Sequence, residues 1–225
     1  MDTDQVTTLR ALLAPTGWLE RTRVFAQGLR KATRSPGGLL VVGTPEEEPW
    51  HLTAHLDEES RLSGIPELRP TLVRWRVPAG APSHLRVGLE RLEAAQRGET
   101  LFVVAPSTAP VPLLERVDDA RRIGATIFAL DQGDPELDAL AHETLAVRSR
   151  IDPMSFGAAQ HLISSAIGEL GRPEGFDAAF GTGEFGVATA EGRIRSPGAQ
   201  RHRPGVRGLR DRVARLLDAV SGPAG

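Results

Sequence analysis

Between Gly38 and about Gly171 the chain alternates short apolar or β-branched runs with helical patterns, and this alternation sets the fold. The runs are Leu39–Val42, Thr71–Val77, Thr100–Val104, Thr126–Leu130 and Thr144–Val147. Between and after them lie helical patterns at roughly 49–62, 83–96, 110–123, 134–143 and 153–170. The 110–123 segment is the clearest, with Leu113, Leu114, Val117, Ala120 and Ile123 on one face and Gly124 placed to end it. Five strands separated by helices predict a mainly parallel sheet covered on both faces, a three-layer αβα sandwich. Right-handed crossovers then favour a doubly wound topology with the flavodoxin-like strand order 2-1-3-4-5.

Around this body the sequence predicts two additions. Residues 1–35 read as helical segments broken near Pro15, with Val6, Leu9, Leu12 and Leu13 on one stripe and Trp18, Phe25 and Leu29 continuing after the break. Residues 172–225 form a Gly-, Pro- and Arg-rich extension with a final amphipathic helix expected at 206–220. The expected domains are thus a helical segment at 1–35, an α/β domain at 36–171 and the extension at 172–225.

Charge is unevenly divided. The formal net charge is −2, yet residues 193–225 carry eight Arg and two Asp, leaving 19 basic against 27 acidic residues before them. A basic tail on an acidic body points to an intramolecular or protein contact. The tail's helix has no aromatic residue for base stacking or interfacial anchoring, so neither nucleic acid nor membrane is an expected partner. The absence of cysteine excludes disulfides, thiolate nucleophiles and Cys-ligated metals. The N-terminus lacks a signal-peptide pattern and no apolar run nears the roughly 18 residues of a membrane span, so a soluble cytoplasmic protein is expected. One lysine against 26 arginines suggests a GC-rich bacterial genome.

In an open α/β sheet the ligand crevice lies beyond the carboxyl ends of the strands, where strand order reverses. Here that point falls between the first and third strands, flanked by the turns "GTPEEEPW" (Gly43 to Trp50) and "APSTAPVP" (Ala105 to Pro112). The segment from Gly98 to Val147 resembles the second half of a SIS (sugar isomerase) domain. There a strand leads to a Ser-x-Ser-Gly-Glu-Thr-like turn, then a helix, a Gly-Ala-strand unit and a fifth strand. "FGAAQHLISSAIGEL" (Phe156 to Leu170) resembles the helix that family places after its last strand. The resemblance covers about residues 20–171. It implies a five-stranded αβα domain, commonly a homodimer, that binds phosphorylated sugars, either isomerising them or sensing them in regulators.

Matched to the family turns, the residues depart from the pattern. Ala105 stands at the first serine position and Ser107 at the second, with Thr108, Ala109 and Pro110 in place of Gly-Glu-Thr. In the first turn Gly43 and Thr44 are followed by Pro45 and Glu46–Glu48 rather than small residues. The resemblance therefore implies Gly43, Thr44, Ser107 and Thr108 as ligand-binding residues. Prolines supply no N–H, and three glutamates repel a phosphate, so binding in the family manner is not expected. Glu46–Glu48 read either as first-turn acids favourable to a helix dipole or as a grip for a cationic or polyhydroxyl ligand or a basic partner. The expected function is a non-catalytic SIS-like module binding a carbohydrate derivative or a protein, with a rearranged sugar-phosphate isomerase as the alternative.

An isomerase needs a base to move a proton between adjacent carbons. Glu46, Glu48, His51 and His161 are the candidates near the expected crevice, and His161, beside Leu162, also reads as a structural histidine. Glu47, His51 and His55 recur every four residues, a spacing compatible with zinc or with a surface stripe. The expectation is the surface stripe, with no metal and no cofactor. "GTGEFG" (Gly181 to Gly186) lacks the strand and helix a dinucleotide fingerprint needs, and reads as a chance match. A receiver domain is excluded by Ala105 and Arg148 at its Asp and Lys positions, and flavodoxin by the first turn.

Overall fold

The computed structural model describes residues 13–82, 85–148 and 154–170. It contains the expected five-stranded, all-parallel sheet in the order β2-β1-β3-β4-β5. The strands are β1 (Leu39–Val42), β2 (Pro70–Val73), β3 (Thr100–Ala105), β4 (Thr126–Asp131) and β5 (Glu143–Ala146). Register runs straight across the sheet: Leu39 pairs with Pro70 and Thr100, Thr100 with Thr126, and Phe128 with Glu143.

The central strands are buried on both sides, so the apolar runs are continuous and alternate residues serve different cores. Leu39, Val41, Phe102, Val104, Phe128 and Leu130 belong to one cluster with residues of α1 (Trp18–Ala32), α2 (Trp50–Ser63) and α6 (Phe156–Leu170). Leu40, Val42, Leu101, Val103, Ile127 and Ala129 form the other, with α3 (Glu90–Glu93), α4 (Val111–Ile123) and α5 (Pro135–Leu140). Phe25 of α1 anchors the first layer, its ring centroid 5.5 Å from that of Phe102 and 5.3 Å from that of Phe128, the latter edge-on.

The main departure from expectation is the segment after β2. The strand stops at Val73 instead of reaching Val77, and helix appears only at Glu90–Glu93 within the expected 83–96. Arg74 bridges to Gly88 in parallel, its N–H donating to the Val87 carbonyl at 2.8 Å, and the Gly88 N–H donates to Glu90 Oε1 at 3.0 Å. These pairings hold the chain extended where apolar periodicity alone predicts a helix.

α2 starts just beyond the carboxyl end of β1, and α6 follows β5 in the same sense. The two helices therefore run side by side in one direction on the same face of the sheet. At the head of α6, Ser155 Oγ accepts the Ala158 N–H at 3.2 Å as an N-cap. The "GTGEFG" stretch and the expected 206–220 helix lie outside the described residues.

Candidate functional site

The turn after β1 is closed upon itself. A Cβ on Gly43 would stand 2.2 Å from the Glu47 carbonyl oxygen and 2.5 Å from Pro49 Cδ, so only glycine lets the loop fold back this tightly. The Thr44 N–H donates to the Glu47 carbonyl at 3.1 Å, and the Glu47 N–H to Thr44 Oγ1 at 3.3 Å. The Trp50 N–H goes to the Glu48 carbonyl at 2.9 Å, and Pro45 and Pro49 have no N–H to give. Gly43 and Thr44 are buried, whereas Glu46 and Glu47 are exposed.

The glutamates do not occupy a first helical turn, correcting the expectation drawn from the helix dipole. α2 begins at Trp50 after Pro49, and its first turn holds no acidic residue. Glu48 is instead a structural tie. Its Oε2 accepts from Arg74 Nη2 at 2.7 Å and Nε at 2.9 Å, its Oε1 accepts from the Trp75 N–H at 3.0 Å, and both charged side chains are largely buried. Trp75 Nε1 completes the clasp by donating to the Gly43 carbonyl at 2.8 Å. Such a pair is worth keeping mainly because removing one partner strands the other.

One donor of the turn after β3 is held from elsewhere in the chain. Ser107 and Thr108 are exposed. The Ala109 N–H donates to Asp134 Oδ2 at 2.7 Å, while Asp134 Oδ1 accepts from Glu136 and Leu137 N–H at 3.0 and 3.3 Å as the N-cap of α5. A buried carboxylate of the protein thus holds a donor that could otherwise face an anion. Asp131, at the carboxyl end of β4, was not singled out by sequence reasoning. It is fully buried, accepts the Gly133 N–H at 2.9 Å, and among the described residues its Oδ2 has no partner. Burial pushes its carboxyl pKa up, countered in part by the Gly133 and Asp134 N–H groups.

Polar groups of another kind gather beside these turns, where α2 and α6 meet. His51 and His55 share a stripe of α2, and His161 faces them from the second turn of α6. Ring centroids are 4.7 Å apart for His51–His55, 5.2 Å for His51–His161 and 5.1 Å for His55–His161. The Nε2 atoms of His51 and His55 are 3.2 Å apart, and His55 Nδ1 lies 4.0 Å from Glu58 Oε2. Desolvation, then the neighbouring histidines, hold the His161 and His55 pKa values below the ordinary 6.5, while Glu58 pulls His55 partly back. Glu47, the third member of the four-residue series, precedes the helix and does not share its face; His161 joins the pair in its place. The exposed Trp50 ring stands edge-on to His51 at 5.7 Å.

Of the residues singled out from sequence, the structure brings together His51 and His161, and separately closes Gly43, Thr44 and Glu48 into one turn. Ser107 and Thr108 lie exposed in the turn after β3, the strand paired with β1. Asp134 carries a readable local signal, an Asp before a helix-starting proline, but its reach to Ala109 spans 25 residues.

No family model and no curated protein matches the chain. Solved structures do match. One is described as "putative phosphosugar isomerase from Silicibacter pomeroyi DSS-3", at 15% identity and a TM-score of 0.46. The match covers 74% of this chain and 49% of that one, so it spans about half of that structure's length. The fold assignment rests on the strand order itself. No helix among the described residues is long and apolar enough to cross a membrane.

Proposed function

We propose that the chain is a non-catalytic binding module of SIS-like architecture, one that recognises a carbohydrate derivative or a protein rather than isomerising a phosphosugar. The reading takes residues 36–171 as the binding domain, flanked by the helical segment at 1–35 and the Arg-rich extension at 172–225, in a cytoplasmic homodimer. One observation carries it: the Thr44 and Glu47 N–H groups of the first turn and the Ala109 N–H of the second are already engaged by the protein's own oxygens. A phosphate cradle depends on free, convergent N–H groups at a helix start. The exposed Glu46 and Glu47 add negative charge where a phosphate would approach.

A thermal-shift panel of hexose and pentose phosphates beside the unphosphorylated sugars tests this reading. The phosphates are expected to leave the melting temperature unchanged. Strong stabilisation by a hexose phosphate, abolished by Ser107→Ala, would overturn it. One observation favours the isomerase alternative, the convergence of His51 and His161, whose rings could supply a base. Turnover of any aldose phosphate, lost in a His161→Ala variant, decides for that alternative.

A further inference from the structure

A histidine that serves only structure binds a fixed polar partner, as His142 does by accepting the Ile127 N–H at its Nδ1 at 2.9 Å. His51, His55 and His161 instead gather on one another, His51 and His55 sharing a hydrogen bond between their Nε2 atoms that a bound ion would replace. Their rings meet edge-on at the α2–α6 seam, and the ligand atoms they offer all lie within 4.8 Å of one another. Two nitrogens each about 2.05 Å from one tetrahedral zinc-type ion sit about 3.3 Å apart. The His51–His55 Nε2 separation of 3.2 Å already matches that edge. The widest separation closes to it by a shift of about 1.5 Å, within reach of ring rotation on one exposed and two half-buried side chains.

The ligand chemistry suits a metal as well, since each neutral imidazole offers a nitrogen lone pair. Glu58 Oε2 lies 4.0 Å from His55 Nδ1, beyond hydrogen-bond range, and a small side-chain shift would let it orient that ring as a carboxylate does behind a metal-bound imidazole. An all-imidazole set selects zinc-class ions over magnesium or calcium, which need oxygen ligands.

We propose that His51, His55 and His161 form a three-histidine site for a zinc-class divalent ion, bridging α2 to α6 with its fourth position open. Three protein ligands and one open place is the pattern of sites whose ion contacts water or a ligand, rather than of closed structural sites. The site is independent of the binding reading above: it stands or falls whether or not a sugar binds.

The test uses untagged full-length protein freed of metal by chelation, titrated with zinc chloride by calorimetry and followed by thermal melting. Expected are one ion per chain, a raised melting temperature, and no response to magnesium. His161→Ala and His55→Ala each weaken binding by about tenfold or more, and Glu58→Gln by about tenfold. Circular dichroism confirms that the variants are folded. Cobalt(II) is a second measurement on the unmodified protein, where intense tetrahedral visible bands support the site. Absence of zinc binding, unchanged affinity in His161→Ala, or only a weak octahedral cobalt spectrum overturns it.

Discussion

The strand-end turns and the head of the α2–α6 helix pair lie at the same end of the sheet and have opposite chemistry. In the turns, several donors and acceptors are paired internally: Thr44 with Glu47, Glu48 with Arg74 and Trp75, Ala109 with Asp134. At the helix pair, three imidazoles meet with ring centroids 4.7, 5.2 and 5.1 Å apart. The topology of an α/β sheet points to a crevice, but whether that crevice can bind depends on which groups are left without a partner. Here the groups proposed to bind are helix side chains rather than backbone N–H groups of the turns.

The largest expected effect breaks the closed side of this contrast. Asp134→Ala strands the Ala109, Glu136 and Leu137 N–H groups at once and should cost roughly 3 kcal/mol in urea unfolding, with Asp134→Asn restoring part of it. A loss within error of zero would show that the carboxylate does not organise the β3 turn. Next, Gly43→Ala drives a Cβ into the Glu47 carbonyl and should destabilise by about 1–3 kcal/mol. If this variant is as stable as the parent, the β1 turn is looser than its hydrogen bonds imply.

The open side has a smaller, pH-dependent signature. Because His55 and His161 have lowered pKa values in the folded chain, the unfolded chain binds more protons below the ordinary value near 6.5. Their contribution to stability is therefore present above pH 6.5 and lost as pH falls through their lowered values. His51 and Glu58 on α2 are the charged neighbours that modulate this loss. Denaturation midpoints measured between pH 5 and 7.5 should rise with pH, and His161→Gln should flatten the slope; an unchanged slope in that variant removes His161 from the account. The smallest effect is expected at Ser107→Ala, within about 0.5 kcal/mol, since the side chain is exposed and forms no hydrogen bond among the described residues.

Where the fold was legible, local periodicity and global burial agreed. β1 was read with its observed limits, and β3, β4 and α4 within one residue at each end, because a two-sided apolar strand and a one-faced helix leave distinct patterns. The segment at 83–96 was misread because its hydrogen bonds go to Arg74 on the edge of β2, a partner that helical periodicity does not reveal. The candidate site divides in the same way. His51 and His55 share a stripe by spacing alone, but Glu47 is lost to that stripe because Pro49 delays the helix start.

The sequence by itself determined the sheet and its strand order, and with them the end at which a site is expected. Those follow from short-range hydrophobic pattern and from the handedness of parallel crossovers. Tertiary structure alone decided what that end contains. Glu48 meets Arg74 across 26 residues, Asp134 reaches back 25 to Ala109, and His161 comes to His51 from 110 residues away. Hydrogen-bond partnership and metal-ligand convergence are properties of distance in space, and spacing along the chain fixes them only within a single helix or turn.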